Sequence, residues 1–191
     1  MRARAEAVEV TRERIARAAM ERFLAEPYDD VTIASVARDA GVSHQTVLNH
    51  FTSKDGLFAA AAKRFSADLA ASREGRTTSD PESVVALVME QFERSGDGNV
   101  RLALLHDRIE AVRAGLEEGR TNHQRWLAET LEDHLPSDPA ERHRTLAALH
   151  AATDVYTWKL LRRDLGHGRR VTQRIMTDMV RAILCTTRKE P

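Results

Sequence analysis

The side chains whose types and spacing suit recognition chemistry stand close together: Ser43, His44, Gln45, Thr46 and Asn49. All are compact hydrogen bonders, able to reach phosphate oxygens and base edges in the major groove of DNA. Other chemistries find less support. His106, His123, His134, His143 and His150 invite a metal reading, and His143 and His150 share a helix face. Yet no HExxH spacing accompanies them, so solvated or hydrogen-bonded histidines are the simpler reading, and no metal or cofactor is expected. The sequence has no nucleophile elbow and no phosphate loop, and the neighbours His106 and Asp107 do not face one site on a helix. Nothing therefore argues for an enzyme. Cys185 is the single cysteine, which excludes an intrachain disulfide, suits a reducing compartment and reads as a small apolar residue on the last helix.

Two short helices must hold these residues in place. In IASVARDAGVSHQTVLNHF, from Ile33 to Phe51, Val36, Ala37, Val42 and Val47 point inward and Gly41 forms the turn. Ala37 is small enough for a close helix crossing, and Gly41 accepts positive φ, so the spacing is that of a helix-turn-helix over about 33–52. Thr32 reads as the N-cap of the helix Ile33 to Asp39, with its hydroxyl accepting from the Ser35 N–H. Ser43 caps the next helix, to about His50, and Ser53 caps a longer one through Leu57, Phe58, Ala61, Phe65 and Leu69. Upstream, Ile15, Ala18, Ala19 and Phe23 mark a helix that begins near Thr11 and ends at Pro27.

The polar stretch 74–79 divides a DNA-binding domain, 1–72, from a helical bundle, 80–191. In the bundle, Asp80-Pro81 opens a helix with Val84, Val88 and Phe92 on one face. A turn is predicted at 95–99 around Gly96 and Gly98, then a short helix from Val100 to about Asp107. A long helix over 108–134 carries Ile109, Val112, Leu116, Trp126, Leu127 and Leu131, and Asp138-Pro139-Ala140-Glu141 restarts the chain as a capping box. Leu146, Leu149, Thr153, Tyr156 and Leu160 then make a heptad-like stripe. After Gly166 and Gly168, the last helix carries Val171, Ile175, Met179, Ala182 and Ile183. These two helices have more apolar face than one small bundle buries, so a homodimer through the last two helices is expected.

From Thr11 to Phe65, and most clearly in VTIASVARDAGVSHQTVLNHFTSKDGLF, the sequence closely resembles the N-terminal domain of the TetR family of bacterial repressors. The family's recognition helix ends in a Thr-Leu-Tyr-x-His-Phe pattern followed by Ser-Lys-acidic; Thr46, Val47, His50, Phe51, Ser53, Lys54, Asp55, Leu57 and Phe58 match. Leu48 stands where the family has its aromatic residue, so a phosphate-binding Tyr is missing. Beyond residue 65 the likeness is one of length and helical pattern. The resemblance implies phosphate contacts from Thr46, His50 and Lys54, helix N-termini brought to the DNA backbone by Thr32 and Ser43, and base contacts from His44, Gln45 and Asn49, amides being suited to adenine. It also implies an all-α fold: a three-helix helix-turn-helix domain plus a C-terminal bundle for dimerisation and for a small hydrophobic or amphipathic ligand. Met89, Phe92, Leu105, Ile109, Trp126, Tyr156 and Trp158 are the candidate lining residues, and each also reads as plain core. Trp126 and Tyr156 stand out because a buried indole or phenol needs a polar partner. The implied function is a repressor released from a palindromic operator by that ligand; the alternative is a DNA-binding protein of the same fold controlled by a protein partner.

Composition agrees with a helical globular chain: 42% of residues are hydrophobic, 30% charged and only 5% aromatic, with abundant Ala and Leu. The formal net charge is zero, so any DNA-binding surface must be local. Residues 1–64 hold ten basic and nine acidic side chains, which decides nothing. Arg2 and Arg4 could form a basic arm for a minor groove, although a solvated tail is the simpler reading. Neither a secretory signal nor a membrane span is present in the pattern, so a cytoplasmic, membrane-independent protein is expected. The excess of Arg over Lys hints at a GC-rich bacterial genome.

Overall fold

A computed structural model describes residues 2–76 and 78–186, with the side chains of residues 2–4 outside the description. The described residues form nine α-helices: α1 (Arg2–Ala25), α2 (Ile33–Asp39), α3 (His44–Phe51), α4 (Lys54–Arg73), α5 (Pro81–Ala103), α6 (Glu110–Thr130), α7 (Pro139–Ala152), α8 (Val155–Lys159) and α9 (Arg169–Thr186). They divide into two units, Met1–Ser72 with Arg101–Glu118, and Arg73–Val100 with Gly119–Pro191.

The first unit is built on the apolar spacing of α1 to α4. Ile15, Ala19, Phe23, Val36, Val47, Leu57 and Ala61 are fully buried in one core. Within it Phe23 stacks on Tyr28 with ring centroids 5.0 Å apart, and Phe58 closes on both rings edge-on. The stretch 101–118 joins this core, although the sequence pattern put it with the second bundle. The reason is apolar complementarity: Leu102 and Val112 are buried here, and Leu105, Ile109 and Leu116 pack against the same cluster. α1 begins at Arg2, earlier than the apolar pattern from Thr11 suggests. The Arg2 and Arg4 side chains lie outside the described residues.

The second unit buries Val84, Val85, Val88, Met89, Leu127, Leu131, Leu149, Trp158, Met176 and Val180. Here three expectations need correction. The turn predicted at 95–99 does not form, and α5 runs unbroken through it. Gly96 is there for a close approach: a Cβ on it would lie 2.5 Å from Trp158 Cζ3. The heptad-like stripe is not one helix. Thr153 ends α7, and the Asp154 carboxylate caps α8 by accepting from the Tyr156 N–H at 2.8 Å. A π-helical turn follows at Leu160–Asp164, and Tyr156 and Leu160 turn outward, 43% and 49% exposed. Third, α9 buries Thr172, Met176, Val180 and Leu184, one position beyond the expected stripe. Val171 and Met179 remain exposed. The helix is apolar on two sides, and periodicity alone could not choose between them.

Candidate nucleic-acid interface

The turn between α2 and α3 is a Schellman motif: the Val42 N–H donates to Ala37 O at 2.9 Å and the Gly41 N–H to Arg38 O at 3.2 Å. That closure needs a left-handed residue, and Gly41 supplies φ +61°. Both helix starts are capped as the sequence indicates. Thr32 Oγ1 accepts from the Ser35 N–H at 3.0 Å, with Ser35 Oγ accepting in return from the Thr32 N–H. Ser43 Oγ accepts from the Thr46 N–H at 3.0 Å and lies 2.8 Å from Thr46 Oγ1. At the other end of α3, Thr52 takes φ 58°, a conformation a β-branched residue rarely adopts.

With Val47 and Phe51 buried, α3 turns the rest of its surface outward. Ser43, His44, Gln45 and Asn49 are exposed, and Thr46 and His50 are half-buried. At about 100° per residue, Gln45 and Asn49 straddle the line opposite Val47, so they form the crest of the helix. Thr46 and His50 occupy one flank, and His44 and Leu48 the other. Gln45 Nε2 donates to Asn49 Oδ1 at 2.9 Å. Lys54 is held at the start of α4, with its ammonium 4.5 Å from the Tyr28 ring centroid and donating to Asp29 O at 3.3 Å. Burial lowers its pKa, an effect opposed by the charges of Asp29 and Asp55. The Tyr28 hydroxyl, which donates to Asp55 at 2.7 Å, is pushed well above its ordinary pKa by burial.

Structure also resolves the near-balance of charge. No acidic residue occurs from Ala40 to Lys54, and several acids elsewhere in this unit are occupied. Asp39 pairs with Arg22, whose hydrogen bond holds its carboxyl below the usual range. Asp68 is gripped by Arg17 and Arg64, and Asp29 by Arg108. Two cations entered the sequence reading only in the tally of ten basic residues. Arg12 lies 5.2 Å from the centroid of the Phe51 ring at the end of α3, and Arg38 is exposed in the last turn of α2. Among the described residues neither forms an ion pair.

The candidate ligand-lining residues are divided between the two units. Leu105 and Ile109 belong to the first unit, whereas Met89, Phe92, Trp126, Tyr156 and Trp158 belong to the second. Met89, Phe92 and Trp158 are core, and Tyr156 is exposed. The Trp158 indole donates to Glu93 Oε1 at 3.1 Å, and Arg162 clamps the same carboxylate. Trp126 differs. It is half-buried, with the Arg73 guanidinium 3.9 Å from its ring centroid and His123 beside it. Arg73 also donates to Gln91 at 2.8 Å, and burial lowers its pKa to about 10. Thr153 Oγ1 gives its proton to Leu149 O, so at 2.8 Å the His123 Nε2–H is the donor to Thr153. Among the described residues no cluster of histidine, cysteine and carboxylate side chains could hold a metal ion.

Two capped helices joined by a Schellman turn form a helix-turn-helix whose second helix carries no acidic residue. Residues 15–61 of the 191 match the family model described as bacterial regulatory proteins, tetR family. No curated protein matches the chain. Solved structures share its fold. A tetR-family transcriptional regulator from Streptomyces coelicolor has 22% identity and TM-score 0.71, covering 92% of this chain and 83% of that one. A transcriptional regulator from Rhodococcus has 20% identity and TM-score 0.69, with 94% and 99% covered. A second TetR-family member from Streptomyces coelicolor has 22% identity and TM-score 0.62, with 88% and 97% covered. Among the described residues no helix is long and apolar enough to cross a membrane.

Proposed function

We propose that the protein is a cytoplasmic repressor that binds a palindromic operator in double-stranded DNA as a homodimer and is released by a small hydrophobic or amphipathic ligand. Residues 1–72 engage DNA, and the chain from residue 80 onward carries dimer and ligand contacts. α3 is the recognition helix. His44, Gln45 and Asn49 read base edges, while Thr46, His50 and Lys54 hold phosphates, and the capped starts at Thr32 and Ser43 add backbone N–H donors. The observation that carries this reading is the outer face of α3, polar and uncharged at its crest, with no acidic residue from Ala40 to Lys54. A dimer is supported by the large apolar side chains that the second unit leaves outward between residues 156 and 179: Tyr156, Leu160, Leu165, Val171 and Met179 are 38–58% exposed. For the ligand, Trp126 is the best supported contact, because its half-buried indole, with Arg73 and His123 beside it, combines an apolar ring with polar neighbours as an amphipathic molecule requires.

The test is selection of bound duplexes from a random pool by the purified protein, repeated with Thr46→Ala and Asn49→Ala at two salt concentrations. The expected result is a palindrome whose recovery depends on both side chains and weakens with salt. Folded protein that enriches no sequence overturns the reading. Met179→Glu is expected to sediment as a monomer; wild type sedimenting as a monomer at micromolar concentration refutes the dimer.

A further inference from the structure

We infer that Gln45 and Asn49 read the operator as one unit, with Gln45 acting as the positioning residue for Asn49 and the pair selecting an adenine in each half-site. The inference rests on α3 being the recognition helix and goes further, to how its two amides divide the work. Both stand on the crest opposite Val47, the part of the helix that enters deepest into a groove. An adenine presents N7, which accepts, beside the N6 amino group, which donates. A lone asparagine can match that edge with its amide turned one way and fails when it is turned over, and rotation about its last side-chain bond is nearly free. The hydrogen bond from Gln45 Nε2 to Asn49 Oδ1, at 2.9 Å, removes that freedom. It occupies one lone pair of Oδ1, leaves the second for the adenine N6–H, and fixes Nδ2 on the side where it donates to N7. Thr46 is held separately by Ser43, at 2.8 Å between hydroxyls, so the phosphate-facing flank and the crest are ordered by different pairs.

The experiment measures affinity of wild type, Gln45→Ala, Gln45→Glu, Asn49→Ala and the double alanine variant of the full-length protein. The probe is the duplex that wild type selects, compared with one in which a single adenine at a time is replaced by deaza-adenine, where N7 becomes C–H. At one position per half-site wild type is expected to lose roughly tenfold on that replacement, Asn49→Ala nothing and Gln45→Ala most of the difference. The double variant should bind no worse than Asn49→Ala alone, the non-additivity of residues acting together. Gln45→Glu keeps the length but cannot donate, so it should lose the same adenine sensitivity; its added negative charge weakens both duplexes alike and cancels in the ratio. A merely structural role for Gln45 would lower affinity for both duplexes equally. Full deaza-adenine sensitivity in Gln45→Ala, or losses that multiply in the double variant, overturns the pairing while leaving the repressor reading intact. If wild type selects no sequence, the recognition-helix reading falls and this inference with it.

Discussion

Gly96→Ala opposes two effects of known sign at one position. Inside α5 an alanine is favoured over glycine by about 1 kcal/mol, from backbone entropy. Its methyl, however, would lie 2.5, 2.7 and 2.9 Å from three carbons of the Trp158 ring. Carbons sit comfortably at about 3.5–4.0 Å, so the ring would have to retreat by about 1 Å. It is fixed on its other sides. Its N–H is bound to Glu93 at 3.1 Å, Arg163 lies 4.8 Å from its centroid, and Phe92 packs at 5.9 Å. Overpacking of this kind costs about 1–3 kcal/mol, and weakening a hydrogen bond to a carboxylate adds about 1–2 kcal/mol. The helix gain offsets only part, leaving Gly96→Ala destabilised by about 2 kcal/mol. Urea denaturation followed by tryptophan fluorescence measures this. In a Trp158→Phe background the crowding atoms are gone, and the same Gly96→Ala change should be neutral or stabilising. If Gly96→Ala in the native background is as stable as wild type, the close-approach explanation is wrong and α5 tolerates a side chain there.

Other expectations follow from the same structure. Stability should fall with acid through His123. Burial first, then the charges of Arg73 and His150, lowers its folded pKa to about 3 from 6.5. Below pH of about 6.5 the unfolded chain takes up a proton that the folded chain refuses, so its contribution is constant at neutral pH and declines by up to about 1.4 kcal/mol per pH unit. His123→Gln should flatten that slope between about pH 6 and 4 in denaturant titrations; an unchanged slope would clear His123 of the effect. Lys54→Met should weaken binding to all duplexes alike and reduce the salt slope by about 1, and a change in base preference would contradict a phosphate role. Thr52→Gly should raise stability by about 1 kcal/mol by relieving the positive φ, with thermal unfolding as the readout; a lower melting temperature would mean the threonine conformation is not strained.

What the sequence determined by itself is the part whose signals are local. Thr32, Gly41, Ser43 and Ser53 act within a few residues of themselves, through caps and a left-handed turn, so the boundaries of α2, α3 and α4 and the residues on the outer face of α3 were legible before any packing was known. Asp138 before Pro139 was legible for the same reason. The tertiary structure alone decided what depends on partners distant in the chain. Gly96 reads as a turn until the Trp158 ring is seen against it. The stretch 101–118 reads as part of the second bundle until Leu102 and Val112 are found in the first core. α9 has two apolar stripes of equal period, and only burial of Met176, Val180 and Leu184 shows which one faces inward. Arg12 and the cancellation of Asp39 and Asp68 were hidden likewise, because net charge sums residues that space separates. Local hydrogen bonds are written in adjacent letters; side-chain contacts across the fold require the fold.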